Sequence, residues 1–252
     1  MENSSKNNYL IFAVILSIGF VIGALIISGT WRKVASSNVT IAVTGSASKN
    51  IKSDLGIWDG TFTSESVSVT DAYAKLQESN TKIKNYLISF GFTEDMIVFS
   101  SINTNTLYEP QSKGASYVPE GEKSGKVIGY RLVQGVTVES SEVDKIDKLS
   151  RTVTELINQG VSINSEPPRF LYTKLSDLKV EMIGLAAQDA KIRAEQIAKA
   201  TDNKVGDVRS SKTGVIQINA KNSTEVSDYG VNDVSSLEKT ITAVVSVSFS
   251  LE

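Results

Sequence analysis

From Tyr9 to Ile27 the chain reads YLIFAVILSIGFVIGALII, an unbroken apolar run of 19 residues in which Ser17 is the polar member. As a helix rising about 1.5 Å per residue it spans roughly 28 Å, close to the roughly 30 Å hydrocarbon core of a bilayer. The core helix of a water-soluble protein rarely needs such a stretch followed at once by Trp31, Arg32 and Lys33, which suit a lipid–water interface. The sequence therefore predicts a tail over residues 1–8 and a transmembrane signal-anchor helix over 9–30. A linker over 31–37 and a soluble domain over 38–252 follow. A cleaved leader carries a shorter apolar core and small residues at the cut, and Ala35-Ser36-Ser37 is a poor match. Lys6 on one side and Arg32 and Lys33 on the other leave orientation weakly encoded. One N-terminal span before a large domain is the usual layout of an exported domain, so residues 38–252 are expected outside the cytoplasm.

Composition narrows what such a tethered domain can do. The chain has no histidine and no cysteine. That removes Ser-His-Asp and Cys-His catalysis, the usual zinc sites, disulfides and a thiol-linked lipid anchor. A catalyst here would have to run on carboxylates, Lys, Tyr, Ser or Thr, so we expect no enzyme, no cofactor and no metal. Net charge is −2, and the soluble part lacks a basic cluster, so nucleic acid is not an expected partner.

Periodicity places the elements. Val39, Ile41 and Val43 alternate toward Gly45, and Leu55 to Val69 continues as extended chain. Thr70 or Asp71 is expected to cap a helix with Tyr73, Leu76, Ile83, Tyr86, Leu87 and Phe90 on one stripe, closed by Gly91. Met96–Thr106 and Tyr130–Val138 read as strands around a loop from Tyr108 to Lys126. A second helix is expected from about Glu142 to Asn158, closed by Gly160. Val161–Thr173 is then extended with a break at Pro167-Pro168. The third helix, about Ser176 to Thr201, holds Ala186, Ala187, Ala190, Ala194, Ala198 and Ala200, a small-residue face that lets a helix lie close to a sheet. Val205–Asn219 and Thr240–Leu251 end the chain as strands, the last alternating cleanly. The order predicts an α+β fold: a mixed, mainly antiparallel sheet with helices packed on one face and an internal strand–helix–strand duplication, preceded by one transmembrane helix.

These segments together resemble the SIMPL-domain family, the YggE-like envelope proteins of bacteria. The resemblance rests on Ile41-Ala42-Val43-Thr44-Gly45-Ser46, Ile88-Ser89-Phe90-Gly91-Phe92 with Asp95-Met96-Ile97, and Gly129-Tyr130-Arg131-Leu132 with Val136-Thr137-Val138. Asn158-Gln159-Gly160-Val161 and the alanine-rich helix continue it, in order, across essentially all of residues 39–251. The family often has Pro-Asp after its first strand, where this chain has Ser53-Asp54. The resemblance implies an exported, often membrane-anchored or periplasmic α+β domain that in some members assembles into rings and is loosely tied to envelope stress tolerance. It implies no catalytic residues.

Two readings of function follow. The favoured one is a non-enzymatic envelope domain, tethered to the lipid bilayer, that forms a homo-oligomer or binds an envelope protein. The alternative is a ligand- or peptide-binding module built on the loops 108–126 and 219–236, with Trp58, Tyr108 and Tyr117 as contact residues, since aromatic side chains bury large area at small entropic cost. A carboxylate-dependent hydrolase is least favoured. Glu225, Asp228, Asn232 and Asp233 supply hard oxygen ligands but lack the spacing of a calcium loop, and read as a solvated segment.

Overall fold

The computed structural model describes residues 14–28, 39–109 and 125–251. The expected linker, the tail and most of the 108–126 loop lie outside these residues. Residues 14–28 form helix α1, exposed around nearly its whole circumference. Among the described residues no helix is long and apolar enough to cross a membrane. The described part of α1 is shorter than the expected span, whose residues 9–13, 29 and 30 are not among them.

The expected single sheet is in fact two antiparallel sheets, and this is the main correction to the sequence reading. In the first, β10 (Glu238–Leu251) is central. It pairs with β1 (Thr40–Lys52) on one side and with β8 (Val205–Thr213) and β9 (Gln217–Ala220) on the other. In the second, β2 (Leu55–Ser66) pairs with β5 (Val127–Ser140). The outer side of β5 carries β3 (Ile97–Phe99) and β4 (Asn103–Tyr108), and that of β2 carries β6 (Ser162–Ser165) and β7 (Arg169–Leu171). Alternation alone reports that a strand has a buried face, and does not report which sheet that face belongs to. The chain passes from one sheet to the other between β1 and β2, at Ser53-Asp54.

Each sheet has helices on one face, as expected. Helix α2 (Val69–Phe90) and α3 (Val143–Thr152) cover the second sheet, burying Leu76, Ile83, Leu87, Ile146 and Leu149 against Trp58, Phe62, Leu132 and Val138. Helix α4 (Leu175–Ala200) covers the first, setting Met182, Ala186, Ala190 and Ala194 on Val43, Ile241, Val245 and Phe249. Gly45 lies so close under α4 that an added Cβ would sit 2.2 Å from Ala186 O and Ala190 N. The alanine face thus serves the intramolecular core. Asp189 on α4 accepts a 2.8 Å hydrogen bond from the Ser46 N–H, satisfying part of the open edge of β1.

Several boundaries moved for local reasons. Helix α2 begins at Val69 with Ser68 at its N-cap and no side-chain capping bond, so the expected Thr70 or Asp71 cap is not formed. Gly91 and Gly160 do end their helical segments in the left-handed region, at φ 101° and 83°, as expected. The helix expected to Asn158 tightens after Thr152 into a 3-10 turn over Val153–Gln159. The strand expected over Val205–Asn219 divides into β8 and β9, and Met96–Thr106 divides into β3 and β4.

Candidate functional site

The place where the chain changes sheets is also where polar groups are buried. Lys239, the second residue of β10, occupies an inward position in step with Ile241, Ala243 and Val245, and is 2% exposed. Its ammonium donates to Phe170 O on β7 at 2.6 Å and to Asp233 O, tying both sheets and the intervening loop together. Burial pulls the Lys239 pKa below its ordinary value, and the nearby negative charge of Asp233 opposes that pull.

The loop after β9 supplies Asp233; it is largely exposed, as expected, and side-chain amides tie it to β9. Gln217 donates from Nε2 to Ser227 O and accepts from the Val231 N–H, while Asn219 donates to Glu225 O. Ile218 exchanges backbone bonds with Val231 and Asp233. The Asp233 Oδ1 accepts from the N–H and hydroxyl of Ser235 at 2.8 and 2.7 Å. Its Oδ2 is buried without a hydrogen-bond partner. Burial pushes the Asp233 pKa up, but hydrogen bonds from Ser235, the Ser236 hydroxyl and the positive Lys239 outweigh it and hold the group below its ordinary value.

Opposite this loop, Ser53-Asp54 is held by Ser53 N–H to Leu237 O and Asp54 N–H to Leu171 O. The Asp54 carboxylate accepts from both the N–H and the hydroxyl of Thr173 at 2.7 and 2.8 Å, fixing the entry into α4. Between these anchors lies a pocket of about 210 Å³, walled by Leu55, Phe170, Tyr172, Leu175 and Ile218, with Asp233 and Lys239 among its lining. It is apolar over most of its surface, with a charge-balanced pair at its polar end.

The sequence-predicted contact residues fall elsewhere. Trp58 is fully buried in the second sheet's core and donates from Nε1 to Ser165 Oγ at 2.9 Å. Tyr108 ends β4 and is 36% exposed, away from the pocket lining. Tyr117 lies outside the described residues. The 219–236 loop does contribute, through Asn232 and Asp233. Lys239 was missed, although one signal was available: extending the clean alternation of Ile241–Leu251 back by two residues places a lysine on the buried face. Among the described residues no group of three or more potential metal-ligating side chains occurs.

The two helix-covered sheets, joined at Ser53-Asp54, span the whole segment matched by the SIMPL family model, a protein of unknown function (DUF541), over residues 41–249. The chain belongs to the SIMPL family. No curated protein matches it. Within this SIMPL domain Asp54, the acidic member of the Ser53-Asp54 pair, is the anchor of the junction, and Ser53 keeps a backbone donor that proline would lack.

Proposed function

We propose that the chain is a membrane-tethered, non-catalytic domain displayed outside the cytoplasm, and that the pocket at the sheet junction is its binding site for a small molecule. The observation that carries this reading is a lysine held at 2% exposure at the end of an otherwise apolar pocket. Burying a charge is costly, and an apolar concavity with a few convergent polar groups is the physical form of a ligand site. The tether is supported by α1, whose apolar side chains are exposed around the helix and suit a hydrocarbon surrounding. The non-catalytic part is supported by the pocket's single carboxylate and by a sequence without histidine or cysteine.

The test uses the full chain in lipid nanodiscs with labelled methyl groups, titrated with hexanamide, hexanoate and hexylamine. Binding by any of the three should shift the methyl signals of Ile218 and Leu175 while those of Leu76 and Leu149, in the other core, stay in place. Three flat titrations would remove the pocket as a ligand site.

A second reading, self-association, is favoured by β8. Among the described residues this strand pairs with β10 alone, its residues from Asp207 to Thr213 are exposed, and Val208 is 58% exposed. A strand edge of this kind is a template for a second copy of the chain. Light scattering on detergent-solubilised protein should give a multiple of the chain mass that falls in Val208→Lys; a monomer in the unsubstituted protein would end this reading.

A further inference from the structure

The edges of the first sheet are guarded unequally. On β1 the Asp189 carboxylate of α4 accepts the Ser46 N–H at 2.8 Å, and along β9 the loop residues Val231 to Asp233 lie beside Ile218 and share backbone bonds with it. Among the described residues the outer side of β8 pairs with no strand, and Asp207 to Thr213 are exposed. We propose that this open edge takes a second copy of the chain, its β8 running antiparallel about a two-fold axis between Arg209 and Ser210, so that assembly closes at two chains. The inference rests on the self-association reading above and adds its symmetry, register and stoichiometry.

A local irregularity selects this partner. Ser248 on β10 faces Ser210 and the next residue, Phe249, faces Val208, so Arg209 is an extra residue in β8. Such a bulge ordinarily spoils an edge for a regular strand. A second β8 carries the same extra residue at the same level, and the two strands stay in step past it. The faces agree as well. Val208 and Ser211 lie on the α4 side, opposite Phe249 and Val247, whereas Lys212 lies on the open side, opposite Ser246, and alternation from Val208 puts Asp207 there too. Turned about the proposed axis, Val208 meets Ser211 of the second copy on one face and Asp207 meets Lys212 of the second copy on the other.

Charge fixes the register. Among the described residues neither Asp207 nor Lys212 has an ion-pair partner within its own chain. The two-fold gives each of them one, twice over. Sliding one copy by two residues sets Arg209 against Lys212 instead, and like charges directly opposite destabilise a strand pair. Closure follows from the guarded edge. Were β1 open, β8 of one chain could add to β1 of the next, head to tail and without end.

The chain contains no cysteine, so introduced ones report contacts without background. Light scattering on the full chain in detergent should give twice the chain mass. Under mild oxidation, Val208→Cys mixed with Ser211→Cys should cross-link. Neither should do so alone, because like positions are offset by about 10 Å along the strands, beyond disulfide reach. Asp207→Lys should raise the dissociation constant about tenfold, and adding Lys212→Asp should recover it. Dimers whose cross-linking is the same with or without mixing overturn the register while self-association stands. Masses above two chains overturn the closure, and Asp207→Lys dimerising as tightly as the unsubstituted chain overturns the charge pairing. A monomeric full chain, leaving the edge to a partner of another kind, ends both this inference and the reading it rests on.

Discussion

Lys239 contributes to the molecule through what it satisfies more than through its charge. Its two acceptors are a buried carbonyl, Phe170 O, and a half-buried one, Asp233 O, so Lys239→Met keeps most of the aliphatic bulk and leaves both without this donor. At about 1–3 kcal/mol per unsatisfied buried group, the expected loss is about 3 kcal/mol in urea unfolding of the full chain. A loss under about 0.5 kcal/mol would mean that water replaces the ammonium without penalty. Asp233 gives a pH signature of opposite character. Its pKa in the folded protein lies below the ordinary 3.8, so it adds stability above that value and loses it as pH falls through the folded value. Asp233→Asn should therefore flatten part of the stability decline below about pH 4, as measured by unfolding midpoint against pH. An unchanged acid limb would show that Asp233 titrates alike in both states. Glu238 beside Lys221 and Glu78 beside Lys82 are each also held below the ordinary pKa, but both carboxylates are exposed, so solvent screening leaves them a smaller part in the acid limb.

At the level of elements, the meeting of β1 and α4 is set by the absence of side chain at one position. Four alanines on the buried face of α4 and Gly45 beneath them bring helix and sheet backbones together, and Asp189 then reaches the Ser46 amide. Gly45→Ala must push α4 off the sheet, because the atoms it meets are backbone and cannot rotate away. The expected cost is about 3 kcal/mol, read as a lower thermal midpoint, against a much smaller effect for Gly184→Ala, where an added Cβ meets nothing within 4 Å. Equal effects at the two glycines would refute the close-approach argument. The alanine face was readable from the sequence because its spacing repeats. The role of Gly45 was not, since a glycine in a strand is equally the mark of a bulge or a close approach.

For the whole molecule, the organisation is two helix-covered sheets between which the chain crosses twice, at Ser53-Asp54 and again from β7 into α4, with one polar junction beside both crossings. Flotation with phosphatidylcholine liposomes should carry the full chain upward and leave residues 38–252 in the dense fraction. A full chain that stays below with its first residues intact would remove the tether.

Alternating and three-to-four-residue patterns determined by themselves most of the residues that turn inward, though not Lys239 and with Tyr73 wrongly among them, where helices stop at Gly91 and Gly160, and that the class is α+β with antiparallel strands. They did so because burial and left-handed backbone geometry act over a few neighbouring residues. Which strands share a sheet, and so why Ser53-Asp54, Phe170, Asp233 and Lys239 converge, was decided by tertiary structure alone. Those residues come from three distant stretches of chain, and the free energy that selects their meeting lies in contacts that no local pattern encodes.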